Sequence, residues 1–163
     1  MLHSYIKESF VDYPYDVTCT LFFSGCPYRC VYCHNKELQV NCPEPEGLTD
    51  EVLKYLYSVR DKMSVVTLSG GEPSMFIREY WEKLFSPLIS WGYYFCIHTT
   101  GYDLYGLSMI MPYTALLIVE HKAEKEKEWD ARVQYRGAYS RYLALLELAS
   151  AHKVPVEEHQ LKM

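Results

Sequence analysis

Every apolar, strand-like segment in the first three quarters of this chain runs straight into a short polar or glycine-rich motif. That repeated order constrains the fold more than any other feature. Residues 17–23 are β-branched and aromatic and read as a strand. Gly25 ends it, and Cys26-Pro-Tyr-Arg-Cys30-Val-Tyr-Cys33 follows. Residues 65–68 form a second strand, closed by Ser69-Gly70-Gly71-Glu72-Pro73. Residues 93–97 form a third, ending at His98-Thr99-Thr100-Gly101, and residues 115–119 a fourth, ending at Glu120-His121-Lys122. Residues 154–156 start a fifth, short strand.

Helical spacing fills the gaps between strands. Thr49, Asp50 and Glu51 open one helix, with Val52, Leu53, Leu56 and Val59 on its apolar face. Phe76, Ile77, Tyr80, Trp81, Leu84 and Phe85 predict a second, which Pro87 should end or kink. Tyr142, Leu145, Leu146 and Ala149 mark a last helix. The proline-rich residues 36–48 read as irregular, and the charged run 124–132 as a solvated surface. Alternating strands and helices argue for an α/β fold with a parallel sheet, whose C-terminal edge is where sites assemble. Four or five such units do not close an eight-fold barrel. The expected architecture is therefore an open partial (β/α) barrel of about five parallel strands, with residues 1–163 as one domain.

Bulk properties remove several function classes. The net charge of −5 provides no basic footprint for nucleic acid. No apolar run approaches the length of a membrane span. The first residues, Met1-Leu2-His3-Ser4-Tyr5, lack the charged and apolar regions of a signal peptide, so a cytoplasmic setting is expected. In that setting six cysteines argue against a disulfide framework. Cys19 and Cys96 fall in apolar strands and read as small core residues. The sixteen tyrosines have no functional account beyond packing at the edge of the core.

The spacing C-x3-C-x2-C supplies three thiolates from one short loop. Soft thiolates suit zinc or iron–sulfur clusters. A closed zinc site wants four ligands, so that reading needs His34 or Cys42 as the fourth, and His34 adjoins Cys33 awkwardly. A four-iron cluster on three cysteines leaves one iron open to another ligand. In the second motif, Gly70 and Gly71 allow a close backbone approach, and exposed backbone groups there can bind an ammonium or a carboxylate. Alone, Gly-Gly-Glu-Pro is also an ordinary turn.

Taken together, the cysteine loop after strand one and Gly-Gly-Glu-Pro after strand two resemble the radical S-adenosylmethionine superfamily. Asp12-Tyr13-Pro14, Phe23-Ser24-Gly25-Cys26 and Tyr32-Cys33-His34-Asn35 look like the glycyl-radical-enzyme activases, most of all the anaerobic ribonucleoside-triphosphate reductase activating proteins. The resemblance is tight from about residue 4 to 75 and loose afterwards. It implies that Cys26, Cys30 and Cys33 hold a [4Fe–4S] cluster whose open iron chelates S-adenosylmethionine. It implies that Tyr32 contacts the adenine, that Gly70, Gly71 and Glu72 hold the methionine amino group, and that Thr99 and Lys122 contact the cofactor. His98 and Glu120 stand where relatives carry aspartates that help bind a monovalent cation, so no such site is expected. Tyr15 replaces the glycine usual after Asp-Tyr-Pro.

The activity implied is reductive cleavage of S-adenosylmethionine to a 5′-deoxyadenosyl radical. That radical takes a hydrogen atom from a glycine Cα of a partner glycyl radical enzyme, with anaerobic ribonucleoside-triphosphate reductase as the expected partner. A low-potential donor such as a flavodoxin is the expected electron source. No side-chain general base is required. The alternatives are a radical enzyme acting on a small molecule or peptide, and a non-catalytic metal-binding module. His98 and His121 read as satisfied polar groups at strand ends, and His3, His152 and His159 carry no signal.

Overall fold

The computed structural model describes residues 1–160. It contains one six-stranded sheet with the strands in sequence order: β1 Leu2–Ser9, β2 Thr18–Phe23, β3 Val65–Gly70, β4 Tyr94–His98, β5 Thr114–His121 and β6 Val156–Gln160. Strands β2 to β6 run parallel, and β1 pairs antiparallel with β2. The five parallel strands match the expected partial barrel. β1 is an addition that the sequence reading missed, because its exposed polar residues dilute the strand pattern.

The two faces of the sheet differ in chemistry. Cys19, Leu21, Phe23, Val66, Leu68, Phe95, Ile97, Leu117 and Val119 point to the helical side and join the main core. Their neighbours of opposite parity include Thr18, Thr20 and Thr67, with a smaller apolar patch of Val65, Cys96, Leu116 and Ile118. The inner hydroxyls are paired: Thr18 Oγ1 lies 2.9 Å from Thr67 Oγ1 and donates to the Val65 carbonyl at 2.9 Å. Burying polar groups this way is tolerable because each has a partner.

The β1–β2 connection crosses this inner face like a strap. Asp12 Oδ2 accepts from Ser9 Oγ at 2.6 Å and from Thr20 Oγ1 at 2.8 Å. Its carbonyl meets His98 Nε2 of β4 at 3.1 Å, and Tyr13 packs on the inner apolar patch. Tyr15 reaches β6, donating to Glu157 Oε1 at 3.1 Å.

Helices α1 Leu48–Val59, α2 Ser86–Ser90, α3 Leu104–Ile110, α4 Glu126–Val133 and α5 Ala138–Ala151 complete the fold. Two expectations need correction. The second predicted helix buries the expected face, with Phe76, Ile77, Tyr80, Leu84 and Phe85 all in the core, but its backbone is irregular. A 3-10 turn (Pro73–Phe76) and a π turn (Trp81–Phe85) precede α2, where Pro87 occupies the first turn. Proline needs no N–H there, and the wider turn before it accommodates the lost i→i−4 bond. The charged run is likewise no mere solvated surface. Most of it forms α4, whose Trp129 and Val133, four residues apart, are fully buried. Among the described residues, no helix is long and apolar enough to cross a membrane.

Gly70 and Gly71 are the most tightly enclosed glycines. A Cβ on Gly70 would stand 2.4 Å from the Phe23 carbonyl oxygen, and one on Gly71 2.4 Å from that of Gly25 and 2.7 Å from that of Leu38. Gly71→Ala is expected to destabilise the protein by about 2–3 kcal/mol through backbone overlap. At Gly92 nothing lies within 4 Å, and only the positive φ of 88° opposes a side chain. Gly92→Ala should cost about 1 kcal/mol. Urea denaturation of the two variants checks that order.

Candidate functional site

The cysteine loop is held from both sides by backbone hydrogen bonds. On the β3 side, Gly71 N donates to the Phe23 carbonyl at 2.7 Å and Glu72 N to that of Gly25 at 2.9 Å. Gly25 N and Cys26 N in turn donate to the Leu38 and Gln39 carbonyls at 2.8 and 3.2 Å. On the α4 side, Arg29 N donates to the Val133 carbonyl at 2.9 Å and Val31 N to that of Arg132 at 3.1 Å. Arg132 also donates to the Lys122 carbonyl. The charged segment therefore anchors the loop that carries the thiols.

These engagements refine the expectation for the glycine motif. The N–H groups of Gly71 and Glu72 are already paired within the fold. The Gly71 carbonyl accepts no hydrogen bond among the described residues. The motif thus has an acceptor to present, which suits an ammonium better than a carboxylate.

Glu72 is 1% exposed, and four donors converge on its carboxylate. Ser74 N at 3.1 Å and the Thr99 hydroxyl meet Oε1; Thr100 N at 2.9 Å and Thr100 Oγ1 at 2.6 Å meet Oε2. Thr99 Oγ1 also accepts from Gly101 N at 3.0 Å. A buried carboxylate is tolerated when hydrogen bonds replace its hydration, and these tie the end of β3 to the end of β4.

A cavity of about 180 Å3 opens at the C-terminal edge of the sheet. It gathers Cys26, Cys30 and Cys33 with Tyr32, Gly70, Gly71, Glu72, Thr99 and Lys122. Every residue expected to hold the cluster or S-adenosylmethionine thus lies on one cavity. Tyr28, His34, Ser69, His98, Thr100, Glu120 and His159 line it too. His159 had carried no signal, because its position on the inner face follows from β6 pairing with β5, with Glu120 opposite His159. Sequence reasoning assigned no role to Tyr28, which stands between two of the cysteines. Cys42 lies away from the cavity, its backbone N–H and carbonyl bonded to Ser24 Oγ at 3.0 and 3.2 Å.

Lys122 is 4% exposed and forms an ion pair with the half-exposed Glu120. His98 is satisfied as expected, through the Asp12 carbonyl. His121 is not. Both its ring nitrogens lie 3.4 Å from carboxylates, of Glu124 and Glu158, yet neither makes a hydrogen bond. It packs against Trp129 and Tyr142 on the helical side of the sheet.

Burial pushes the Cys26 thiol up to about 12, with the nearby Glu72 carboxylate adding to the effect. Burial also raises Cys30, opposed by the Lys122 cation. Metal-free, Cys26 is therefore a thiol at neutral pH, and metal binding there must expel protons. Among the described residues, no three His, Cys, Asp or Glu side chains converge tightly enough to grip a single ion. Three soft thiolates on one cavity suit a multi-iron cluster, in which each sulfur takes a different iron. The donor set fits such a group.

The family described as the Radical SAM superfamily matches residues 20–159. Proteins named pyruvate formate-lyase-activating enzyme, from Staphylococcus epidermidis and Staphylococcus aureus, are 35% and 34% identical over 105 residues. Those alignments take in 61% of this chain and 41% of each relative, so the chain spans about two fifths of the relatives' length. Among solved structures, native anSMEcpe with bound AdoMet overlays with a TM-score of 0.63 at 18% identity, covering 83% of this chain and 40% of that one. TYW1 with a lysine-pyruvate adduct bound overlays at 0.56 and 15% identity, covering 87% and 54%. At such identities the overlays speak for the fold.

Two outcomes follow from this geometry. Glu72→Gln replaces an acceptor oxygen by a donor and should lower the stability of the cofactor-free protein by about 1–3 kcal/mol, read by thermal denaturation. A residue that served only a ligand would leave that stability unchanged. Alanine at Cys26, Cys30 or Cys33 should abolish iron and sulfide uptake after anaerobic reconstitution, whereas Cys42→Ala should load like the wild type.

Proposed function

The chain belongs to the radical SAM superfamily, and on that premise we propose that it is an activase that generates a glycyl radical on a partner enzyme. Superfamily members work with a [4Fe–4S] cluster and S-adenosylmethionine. Cys26, Cys30 and Cys33 hold the cluster in this reading. When bound, the two groups supply reductive cleavage of a sulfonium C–S bond and a carbon radical able to take a hydrogen atom from a glycine.

The protein's own residues bind and orient. The free Gly71 carbonyl offers an acceptor to the amino group of the methionine moiety, beside Gly70. Glu72, with Thr99, keeps that strand edge rigid from below. Lys122, ion-paired with Glu120 at the cavity, contacts the cofactor, and Tyr32 contacts the adenine largely through its backbone. No side chain acts as a general base.

One observation carries the reading: a three-thiol loop and a glycine-rich strand edge meet on a single cavity of a five-strand parallel sheet. The 35% identity to a protein named as an activating enzyme points to a glycyl radical enzyme as the partner. Anaerobic ribonucleoside-triphosphate reductase is the partner favoured by the Tyr32-Cys33-His34-Asn35 segment, with a flavodoxin-like donor supplying the electron. The test is electron paramagnetic resonance of the reduced, reconstituted protein mixed with S-adenosylmethionine and that reductase. A glycyl-radical doublet on the reductase is the expected result. A reduced-cluster signal without a doublet would remove that partner, and zinc without sulfide in the reconstituted protein would remove the activase reading.

A further inference from the structure

Tyr28 sits between two of the cluster cysteines, yet nothing above gives it a task. It is 1% exposed and lines the cavity together with Cys26 and Cys30. Its ring is wedged edge-on against Tyr135, with centroids 5.2 Å apart, and against Tyr102, at 6.0 Å. Arg141 lies over both of those rings, 4.9 Å from Tyr102 and 5.9 Å from Tyr135, and its Nη1 donates to the Tyr102 carbonyl at 2.7 Å. The phenol ring is therefore held by two aromatic neighbours, which Arg141 ties together.

Its hydroxyl has no hydrogen-bond partner among the described residues. The Thr100 hydroxyl is its nearest polar neighbour; it donates to Glu72 Oε2 at 2.6 Å and does not meet the phenol in hydrogen-bonding geometry. Buried polar groups are seldom left unmatched in folded proteins, because the loss of hydration is then uncompensated. Tyr28 belongs to the main core and at the same time lines the cavity. An apolar residue of similar bulk would fill the niche between Tyr102 and Tyr135 without that penalty.

We infer that the Tyr28 hydroxyl is a ligand-binding donor of this site, giving its proton to an acceptor atom of bound S-adenosylmethionine. This rests on the cofactor reading proposed above. The phenol lies near Glu72 and Thr100, which line the same cavity as the glycine motif. There it adds a neutral donor to the acceptor carbonyl of Gly71 and the cation of Lys122.

Tyr28→Phe tests this, because the hydroxyl has opposite effects in the free and bound protein. Removing an unpaired buried hydroxyl should leave the melting temperature of the cofactor-free protein unchanged or raise it. Removing a ligand donor should weaken S-adenosylmethionine binding about tenfold, measured by calorimetry on the reconstituted protein at equal iron and sulfide content. Tyr28→Met gives the same comparison if the phenylalanine variant does not fold. Affinity within twofold of wild type would overturn the assignment. So would a shift in the cluster's reduction potential at unchanged affinity, which would redirect the donor to a cluster sulfur. A fall in cofactor-free melting temperature would make the hydroxyl structural and overturn it as well. If the wild-type protein itself bound no S-adenosylmethionine, the cofactor reading would fail, a result distinct from equal binding by the two proteins.

Discussion

The contact between Gly71 and the Gly25 carbonyl holds this structure together where it matters. The end of β3 and the start of the cysteine loop approach so closely that no Cβ fits between them. The same approach lets Gly71 N and Glu72 N bond to Phe23 and Gly25. Widening that gap would release the loop from the sheet edge, and the three thiols would no longer share a wall with the glycine motif. Glu72 extends the lock sideways. Its carboxylate draws in Thr99 and Thr100, so the ends of β3 and β4 move as one unit. A soft, hydrogen-bond-poor loop would hold three ligands loosely; this one is bonded on two sides before any ligand arrives.

The sheet divides its two faces between stability and chemistry. Helices cover the outer face with an apolar core that includes Phe23, Leu68, Ile97 and Val119. The inner face carries threonines, His98 and Glu120, and is crossed by the Asp12–Tyr15 strap rather than by a helix. Tertiary hydrogen bonds satisfy most of these inner groups. At the cavity, the Tyr28 hydroxyl and the Gly71 carbonyl have no hydrogen-bond partner among the described residues. Unpaired polar groups beside a cavity are available to a ligand, whereas those of His121 and Trp129 lie away from it.

Much of this was legible in the sequence because it depends on local pattern. Strands β2 to β5 announced themselves through β-branched and aromatic runs, and the cysteine and glycine motifs stood directly after them. Less was legible wherever a residue's role depends on a distant partner. Trp129 looked like one apolar residue in a charged run, yet it is fully buried and stacks on Tyr142 with centroids 4.3 Å apart. His159 gained its place on the cavity only through β6 pairing with β5. The segment around Tyr80 kept its apolar period while its backbone left the α-helix, since periodicity reports which side is buried and not how tightly the chain is wound.

By itself, the sequence determined the alternation of strands and helices, the thiol spacing and the position of each motif relative to its strand. These are one-dimensional properties, set by side-chain period and by the conformational freedom of glycine. Tertiary structure alone decided how the motifs engage one another. It paired the backbone N–H groups of the glycine motif with the β2 end, closed four donors around Glu72, and turned a charged helix into the second anchor of the cysteine loop. It also left the Tyr28 hydroxyl without a hydrogen-bond partner among the described residues. Hydrogen bonding is directional and short in range, so which donor meets which acceptor is fixed only when the backbone has brought them to within about 3 Å.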